Sequence, residues 1–268
     1  MSTLVALLLS LPAHALDCAP VSLGNALPAD GAVDVPLNAM PTIEVYGFDD
    51  FDDFELRLED GNGDAVAAEV VELSAGDPVV VQFQPEAELG EDSDYTVVME
   101  HFYPDGSPGE QGAVTFHTGV EVDLEAPEAV QVLRVDREVT LGGDWGNEYE
   151  VKVALEGGED PSGSMFRVEL SHSADFSETV ERTRLEAPVR IFHGLCTFDA
   201  AAKRDADEMW VRVTPVDAAG NEGPSAVFEP TEDGQGKEGR CAYVSGAQLG
   251  WMGVVVGLIG ALRRRDRD

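Results

Sequence analysis

The sequence predicts an all-β protein built of two tandem antiparallel β-sandwiches, followed by a hydrophobic C-terminal helix. Short apolar runs alternate with charged residues at a period of two, as at residues 54–59 and 149–155, which is typical of half-buried strands. Turn-forming residues separate such runs at a spacing of about ten residues, the pattern of an antiparallel sandwich. The 268 residues suffice for two domains of ordinary size.

The N-terminal segment predicts export. Residues 4–11 form a short apolar core, and the small residues Ala13 and Ala15 that follow fit cleavage by signal peptidase after Ala15. This apolar run is too short to span a membrane. We therefore interpret residues 1–15 as a signal peptide.

Residues 21–119 are interpreted as the first sandwich. Pro and Gly within residues 28–32 predict a turn. The Gly-rich acidic residues 60–64 predict a tight turn that joins strands at residues 54–59 and 66–73 into a β-hairpin. Further strands are expected at residues 41–46, 78–83, 94–99 and 113–116.

Four motifs in this region occur in a recognisable order. They are Pro28-Ala29-Asp30-Gly31, Val35-Pro36-Leu37-Asn38, Leu89 followed by Tyr95-Thr96-Val97, and Phe116-His117-Thr118-Gly119. In this order the region resembles the bacterial Ig-like domain of surface-layer and adhesin-like proteins, over about 100 residues. It departs from that family at residues 46–48, where a Phe-Ser-Pro-like step is usual. The resemblance implies a spacer or binding unit without catalysis.

An acidic run is the candidate metal site of this half. Asp49, Asp50, Asp52 and Asp53 surround Phe51, and carboxylate oxygens are ligands that Ca²⁺ prefers. Calcium is accordingly the one cofactor that the sequence suggests. The alternative is a solvated acidic loop, which is favoured because charge runs usually lie in solvent.

Residues 124–230 are interpreted as the second sandwich, which begins after a Pro-containing linker at residues 124–127. Trp145 lies in a Gly-rich loop, where an exposed aromatic ring could stack on a sugar; packing within the protein is the favoured alternative. Strands are expected at residues 130–135, 139–141, 149–155, 166–171, 180–185, 189–192, 209–217 and 226–228.

The last hairpin of this half carries a second resemblance. Trp210-Val211-Arg212-Val213 precedes residues 216–224, which contain an Asp-x-x-Gly-Asn turn. This part resembles a fibronectin type III-like module, and the turn recurs in many bacterial β-sandwich repeats. We expect Trp210 to be a core residue between the sheets.

The three cysteines are Cys18, Cys196 and Cys241. None has zinc-like spacing, and in an exported protein one disulfide and one odd thiol is the simplest account. Three pairings are possible. Cys18 also raises the alternative of lipid attachment, but Asp17 replaces the small residue expected before a lipid-modified cysteine.

The C-terminal segment predicts a membrane anchor. Residues 249–262 are an apolar run of 14 residues, and extension back to residue 244 gives 19. A helix of about 20 residues spans the hydrocarbon core of a bilayer. The basic residues 263–268 would remain in the cytoplasm by the positive-inside rule. A buried core helix is the alternative interpretation of residues 244–262.

The same segment resembles the myxobacterial sorting tail MYXO-CTERM over about 30 residues. The matching features are Cys241, Gly246, the apolar span and Arg263-Arg264-Arg265; the extra residues 266–268 depart from the family. The resemblance implies cleavage near Cys241 and transfer to the cell surface, with residues 231–243 as a flexible stalk.

If Cys241 serves sorting, Cys18 and Cys196 are left to pair. The alternative is a Cys196–Cys241 bridge in front of a plain membrane anchor. The sorting interpretation implies export and sorting proteases as partners, in addition to the membrane that residues 244–262 would enter.

The net charge and the missing motifs limit the function. A formal net charge of −35 excludes nucleic acid as a favoured partner, because phosphate binding needs basic patches. The sequence contains no Gly-x-Ser-x-Gly elbow, no His-Glu-x-x-His motif and no phosphate-binding Gly-rich loop before a helix. No catalytic residue is therefore assigned.

These features together predict a non-catalytic cell-surface protein that serves adhesion, spacing or binding of an unknown surface protein or glycan. A calcium- or carbohydrate-dependent binding module is the alternative. A small hydrolase is less favoured, because sandwiches of about 100 residues leave no room for the long loops of a substrate cleft.

Overall fold

The computed structural model describes residues 21–46, 54–74, 78–102, 108–141, 147–194, 202 and 209–230. The named elements within these ranges are all β-strands. The prediction of an all-β protein is confirmed for this part of the chain. Among the described residues there is no helix that is long and apolar enough to cross a membrane.

The strands of residues 22–118 form two four-stranded sheets, with the orders β1-β3-β6-β5 and β2-β8-β7-β4. Strands β2 and β8 pair in parallel, and the other pairs are antiparallel. The bounds are β1 (Ser22–Leu27), β2 (Ala32–Val35), β3 (Thr42–Tyr46), β4 (Phe54–Asp60), β5 (Ala68–Ser74), β6 (Val79–Pro85), β7 (Asp94–Phe102) and β8 (Pro108–Thr118).

The strands of residues 130–228 form a three-stranded sheet, β13-β10-β9, and a four-stranded sheet, β12-β11-β14-β15. All of these pairs are antiparallel. The bounds are β9 (Val130–Leu141), β10 (Asn147–Gly157), β11 (Ser164–Ser171), β12 (Thr179–Arg184), β13 (Val189–His193), β14 (Trp210–Asp217) and β15 (Ala226–Phe228).

Each pair of sheets encloses an apolar core, as a sandwich does. In the first core, Ile43 and Phe83 from one sheet join Leu58 and Met99 from the other. In the second core the facing sheets contribute a corresponding set that includes Val153, Ile191, Val168, Leu170 and Val213. Burying each such side chain contributes about 1.5–3 kcal/mol, so these layers are the main source of stability.

The hairpin predicted across residues 60–64 is wrong. The turn exists, since the Asp60 carboxylate accepts the backbone N–H groups of Asn62 and Asp64. However, β4 pairs with β7, whereas β5 pairs with β6 in the opposite sheet. After a single bridge between Glu59 and Ala65, the chain crosses the core. Alternation predicts which face of a strand is apolar. It does not predict to which sheet the strand belongs, because both sheets present their apolar faces to one core.

Two smaller expectations also need correction. The strands predicted at residues 130–135 and 139–141 form one continuous strand, β9. Trp210 is half-buried and lies outside the core clusters. Its neighbour Val211 occupies the core, and successive side chains of a strand point to opposite faces, so Trp210 belongs to the outer face of β14.

Most of the predicted terminal and ligand features lie outside the described residues. They are the signal peptide 1–15 with Ala15, the cysteines Cys18, Cys196 and Cys241, the aspartates Asp49, Asp50, Asp52 and Asp53, Trp145, and residues 231–268 with the proposed stalk, membrane span and basic tail.

Candidate functional site at the junction of the two sandwiches

The segment between β8 and β9 is bound to the first sandwich by hydrogen bonds. Gly119 N donates to Val35 O at 2.9 Å, and Leu37 N donates to Glu121 O at 2.9 Å. The Asn38 side chain closes a pair with the backbone of Asp123, donating to its carbonyl at 2.7 Å and accepting its N–H at 2.8 Å. The linker is therefore held in place along the edge of the first sandwich.

The turn after β14 holds the same linker from the second sandwich. As expected from the Asp-x-x-Gly-Asn pattern, the Asp217 carboxylate accepts the N–H groups of Ala219 and Asn221, both at 2.8 Å. The Asn221 side-chain amide donates to Asp217 Oδ2 at 2.8 Å and to the carbonyls of Asp123 and Glu125, each at 3.2 Å. One asparagine therefore connects the turn to the linker.

An apolar cluster seals the contact between the two sandwiches. Its members come from the end of β1, from β5, and from the strands and turns of the second sandwich. They are Leu27, Met165, Val216 and Ala218, with Leu73 and Leu185 packed against them. Removing this surface from water favours a fixed arrangement of the sandwiches.

Polar contacts accompany this cluster. The Glu44 side chain is 1% exposed, and its Oε1 accepts Leu185 N at 3.0 Å from the second sandwich. Its Oε2 accepts the Asn25 amide at 2.8 Å and the Tyr46 hydroxyl at 3.1 Å. Burial, followed by the nearby Glu44 carboxylate, raises the pKa of Tyr46 above its usual value, so this hydroxyl remains a donor.

Two further bonds cross the junction. Arg184 Nη1 donates to Ser74 Oγ at 3.2 Å, and Met40 N donates to Ala218 O at 2.6 Å. A buried donor or acceptor that loses its partner costs about 1–3 kcal/mol. Bending at the junction would break several such bonds and expose apolar surface at the same time.

Three carboxylates converge beside the linker. We call them the aspartate cluster: Asp123 from the linker, Asp160 from the loop after β10, and Asp217 from the turn after β14. One oxygen of each lies within 4.8 Å of the others. The Asp160 carboxylate also accepts Ser162 N at 2.7 Å and Ser162 Oγ at 2.6 Å, which fixes its direction.

The aspartate cluster places negative charge in a partly buried position. Asp217 is 1% exposed, and burial raises its pKa; hydrogen bonds from Asn221 and Ala219 oppose the rise, and the charge of Asp123 adds to it. Among the ion pairs between described residues, none joins a Lys or Arg side chain to these three aspartates. A cation at this point would offset both burial and repulsion.

The spacing of the three aspartate oxygens is compatible with a shared calcium ion. Oxygen ligands lie about 2.3–2.6 Å from Ca²⁺, so two ligands on opposite sides of one ion are about 5 Å apart. The three aspartate oxygens lie within 4.8 Å of one another, which meets this condition. Calcium takes six to eight oxygens, so backbone carbonyls and water would complete the shell.

A second polar group, in the first sandwich, is a histidine that lies between two aspartates. His117 Nδ1 lies 2.8 Å from Asp94 Oδ1, and its Nε2 lies 3.0 Å from Asp92 Oδ1. These hydrogen bonds, that to Asp94 first, raise the pKa of His117 above its usual 6.5. Both ring nitrogens are engaged by carboxylates, so neither is placed to activate a nucleophile.

The aspartate cluster was not predicted from the sequence. Its members are far apart along the chain, and the Asp-x-x-Gly-Asn pattern around Asp217 indicated a turn only. The candidate calcium ligands of the sequence, for which a solvated loop was the favoured interpretation, lie within residues 49–53, outside the described part of the chain. A usable signal would have been the coincidence of an aspartate in the linker with aspartates in two adjoining turns.

The fold and the junction define a class of protein: tandem β-sandwiches joined by a fixed linker. No protein-family model matches the chain, and no curated protein sequence matches it. Solved structures with some similarity include the FN1–FN3 domains of chicken CNTN1, at 12% identity and a TM-score of 0.22, covering 77% of this chain and 64% of that one. Another is a DUF4785 family protein from Legionella pneumophila, at 12% identity and a TM-score of 0.21, covering 75% and 53%.

The chain spans less than two thirds of each of these two structures. TM-scores this low carry no argument about function.

Proposed function

We propose that the protein is a non-catalytic cell-surface module that acts as a spacer or binding unit in adhesion, exported and held at the envelope by its C-terminal segment. The observation that carries the proposal is the fixed junction. Linkers between domains usually permit relative motion. Here the linker is hydrogen-bonded to the first sandwich through Asn38 and to the second through Asn221, over a shared apolar cluster.

A fixed junction suits a spacer because the distance between its ends does not vary with thermal bending. Export and anchoring are supported by the sequence alone: a signal peptide at residues 1–15, an apolar span at 244–262, and Cys241 in a tail that resembles MYXO-CTERM. The Ig-like and fibronectin III-like motifs support the same role, since such modules serve spacing and binding.

Surface digestion tests this location. Intact cells that produce the full-length chain are treated with a protease, and the released peptides are identified by mass spectrometry. We expect peptides from residues 21–230 and no peptide that retains residues 1–15. If the tail serves sorting and is not a plain anchor, the mature chain ends near Cys241. A protein that resists digestion in intact cells and keeps its first fifteen residues would contradict the proposal. An intact C-terminus at Asp268 would contradict the sorting step alone.

A second candidate function is favoured by the aspartate cluster: a calcium-dependent module whose junction is stabilised by the ion. Asp123 belongs to the linker, and Asp160 and Asp217 belong to the second sandwich, so one ion would bind both parts. A ligand that binds only the folded state raises stability. Calorimetry of the purified protein with Ca²⁺ is the test. The absence of both a heat of binding and a shift in melting temperature would eliminate this candidate.

A further inference from the structure

A groove runs beside the linker, and we call it the linker groove. It is formed by β2, the linker and the loop after β10, and its cavity volume is about 930 Å³. Strand β2 is the outermost strand in the sheet order β2-β8-β7-β4 of the described residues. The groove is therefore open at the side of the sheet where a partner can approach.

Exposed apolar side chains are concentrated in this groove. Val33, Val120 and Leu124 are 68%, 63% and 79% exposed, and Val122 is 40% exposed. These are four of the eight exposed large hydrophobic residues in the described part of the chain, and all four line the groove. Clustered exposed apolar residues mark interaction surfaces, whereas single ones need no explanation.

Acidic side chains alternate with these apolar ones. Residues 120–125 read Val-Glu-Val-Asp-Leu-Glu, and Asp34 and Asp160 face the same cavity. None of the residues that line the groove is Lys, Arg or His. The surface is therefore apolar and anionic at once, and its complement is apolar and cationic.

We propose that the linker groove binds an extended segment of a partner protein in which Lys or Arg alternates with apolar residues. A ligand that interleaves basic and apolar residues fits, because the groove presents carboxylates and apolar side chains at neighbouring positions along its length. The inference deepens the proposed binding role and rests on it only for the identity of the natural partner. The groove itself is testable on purified protein.

Side-chain recognition is the expected mode, because β2 is a poor template for adding a strand. The register of β2 against β8 is interrupted between Ala32 and Val35, and Asp34 has a positive φ of 57°. Such irregular edges oppose regular strand pairing. Specificity would come from charge and apolar contact along the groove.

Other occupants fit less well. A second copy of the chain carries a net charge of −35 and would be repelled by the acidic groove. An anionic membrane surface would be repelled for the same reason. The basic segment 263–268 of this chain lacks apolar residues between its arginines, and it serves as a competitor in the test.

Peptide binding to the full-length purified chain tests the proposal, with a chelator present to keep divalent ions from Asp123 and Asp160. The probe is a fluorescent synthetic octapeptide that alternates Lys and Val. Its control has the same composition in two blocks, four Lys followed by four Val. We expect the alternating peptide to bind at least about tenfold more tightly than the block peptide.

Variants assign the binding to the groove. Leu124→Ser and Glu121→Gln should each weaken binding of the alternating peptide several-fold, because one removes an apolar contact and the other a charge. Leu133→Ser and Glu156→Gln are matched controls, since both residues are exposed on other strands, and they should leave binding unchanged.

Three outcomes would overturn the proposal. Equal affinity for the alternating and block peptides would show non-specific attraction to an acidic protein. Equal weakening by the control variants would place binding elsewhere. Displacement of the probe by a peptide of residues 263–268 at lower concentration than by the unlabelled alternating peptide would assign the groove to the chain's own tail.

Discussion

The Glu44 carboxylate accepts the backbone N–H of Leu185 at 3.0 Å, although the two residues are 141 positions apart in the sequence. This bond joins a buried strand of the first sandwich to the second sandwich. The same carboxylate accepts Asn25 and Tyr46, so a single side chain satisfies donors on both sides of the junction.

Replacing this carboxylate should weaken the junction. Glu44→Ala leaves three donors without their acceptor, and we expect a loss of about 3 kcal/mol in the free energy of unfolding. Denaturant titration measures it. Glu156→Ala, at an exposed position of β10, should change the value by less than about 0.5 kcal/mol. Equal effects of the two variants would show that the Glu44 bonds contribute nothing.

A pair of glycines tests how closely the sandwiches are packed. Gly163 and Gly63 both have positive φ, 92° and 83°. An added Cβ at Gly163 would lie 2.5 Å from Leu27 Cδ1, whereas nothing lies within 4 Å of the corresponding atom at Gly63. Both alanine variants carry backbone strain, but only Gly163→Ala also overpacks the junction.

We therefore expect Gly163→Ala to destabilise the protein by about 1–3 kcal/mol more than Gly63→Ala. Thermal unfolding of the two variants side by side measures the difference. If they were equally stable, Leu27 would have room to move, and the contact across the junction would be loose.

Calcium should raise the melting temperature if the aspartate cluster binds it. Asp160→Asn removes one charge and one strong ligand, so the calcium-dependent shift should largely disappear. Asp64→Asn removes the same charge from an exposed turn of the first sandwich and should keep the shift. Retention of the shift in Asp160→Asn, or its loss in both variants, would place calcium binding elsewhere.

The stability contributed by His117 should depend on pH. Its pKa in the folded state is raised above 6.5 by hydrogen bonds to Asp94 and Asp92, so the folded protein favours the protonated ring. The contribution is present in full below pH 6.5 and is lost as the pH rises through the higher folded-state value. His117→Gln should remove this decline in stability.

Denaturant midpoints measured from pH 5 upwards would show the effect. The double change Asp92→Asn and Asp94→Asn should flatten the same part of the profile, because it removes the partners and keeps the ring. An unchanged profile in both variants would mean that the exposed pairs are fully screened by water and salt.

The strands were predictable because alternation and turn chemistry are local properties. Residues 149–155 alternate cleanly and lie within β10. The assignment of strands to sheets was less accessible: β4 and β5 are adjacent in the sequence, yet they lie in opposite sheets of one sandwich, and no local signal distinguishes a hairpin from a crossing of the core. Trp210 was misplaced because size alone does not decide which face of a strand is buried.

The aspartate cluster could not be predicted from the sequence for a different reason. Asp123, Asp160 and Asp217 meet only after both sandwiches and the linker are in place. Each residue by itself has the sequence context of a linker or a turn. Charge runs such as residues 49–53 are visible in a sequence, whereas a cluster assembled by tertiary structure is not.

Single-molecule energy transfer between the sandwiches tests most directly whether they act as one fixed spacer. Dyes are attached through non-natural amino acids at Glu55 and Thr179, exposed positions on β4 and β12, in the full-length protein. A fixed junction predicts one narrow transfer distribution that persists below the unfolding transition and broadens in Glu44→Ala. A broad or multiple distribution in the unmodified junction would contradict it, because the sandwiches would then be reorienting about a flexible linker.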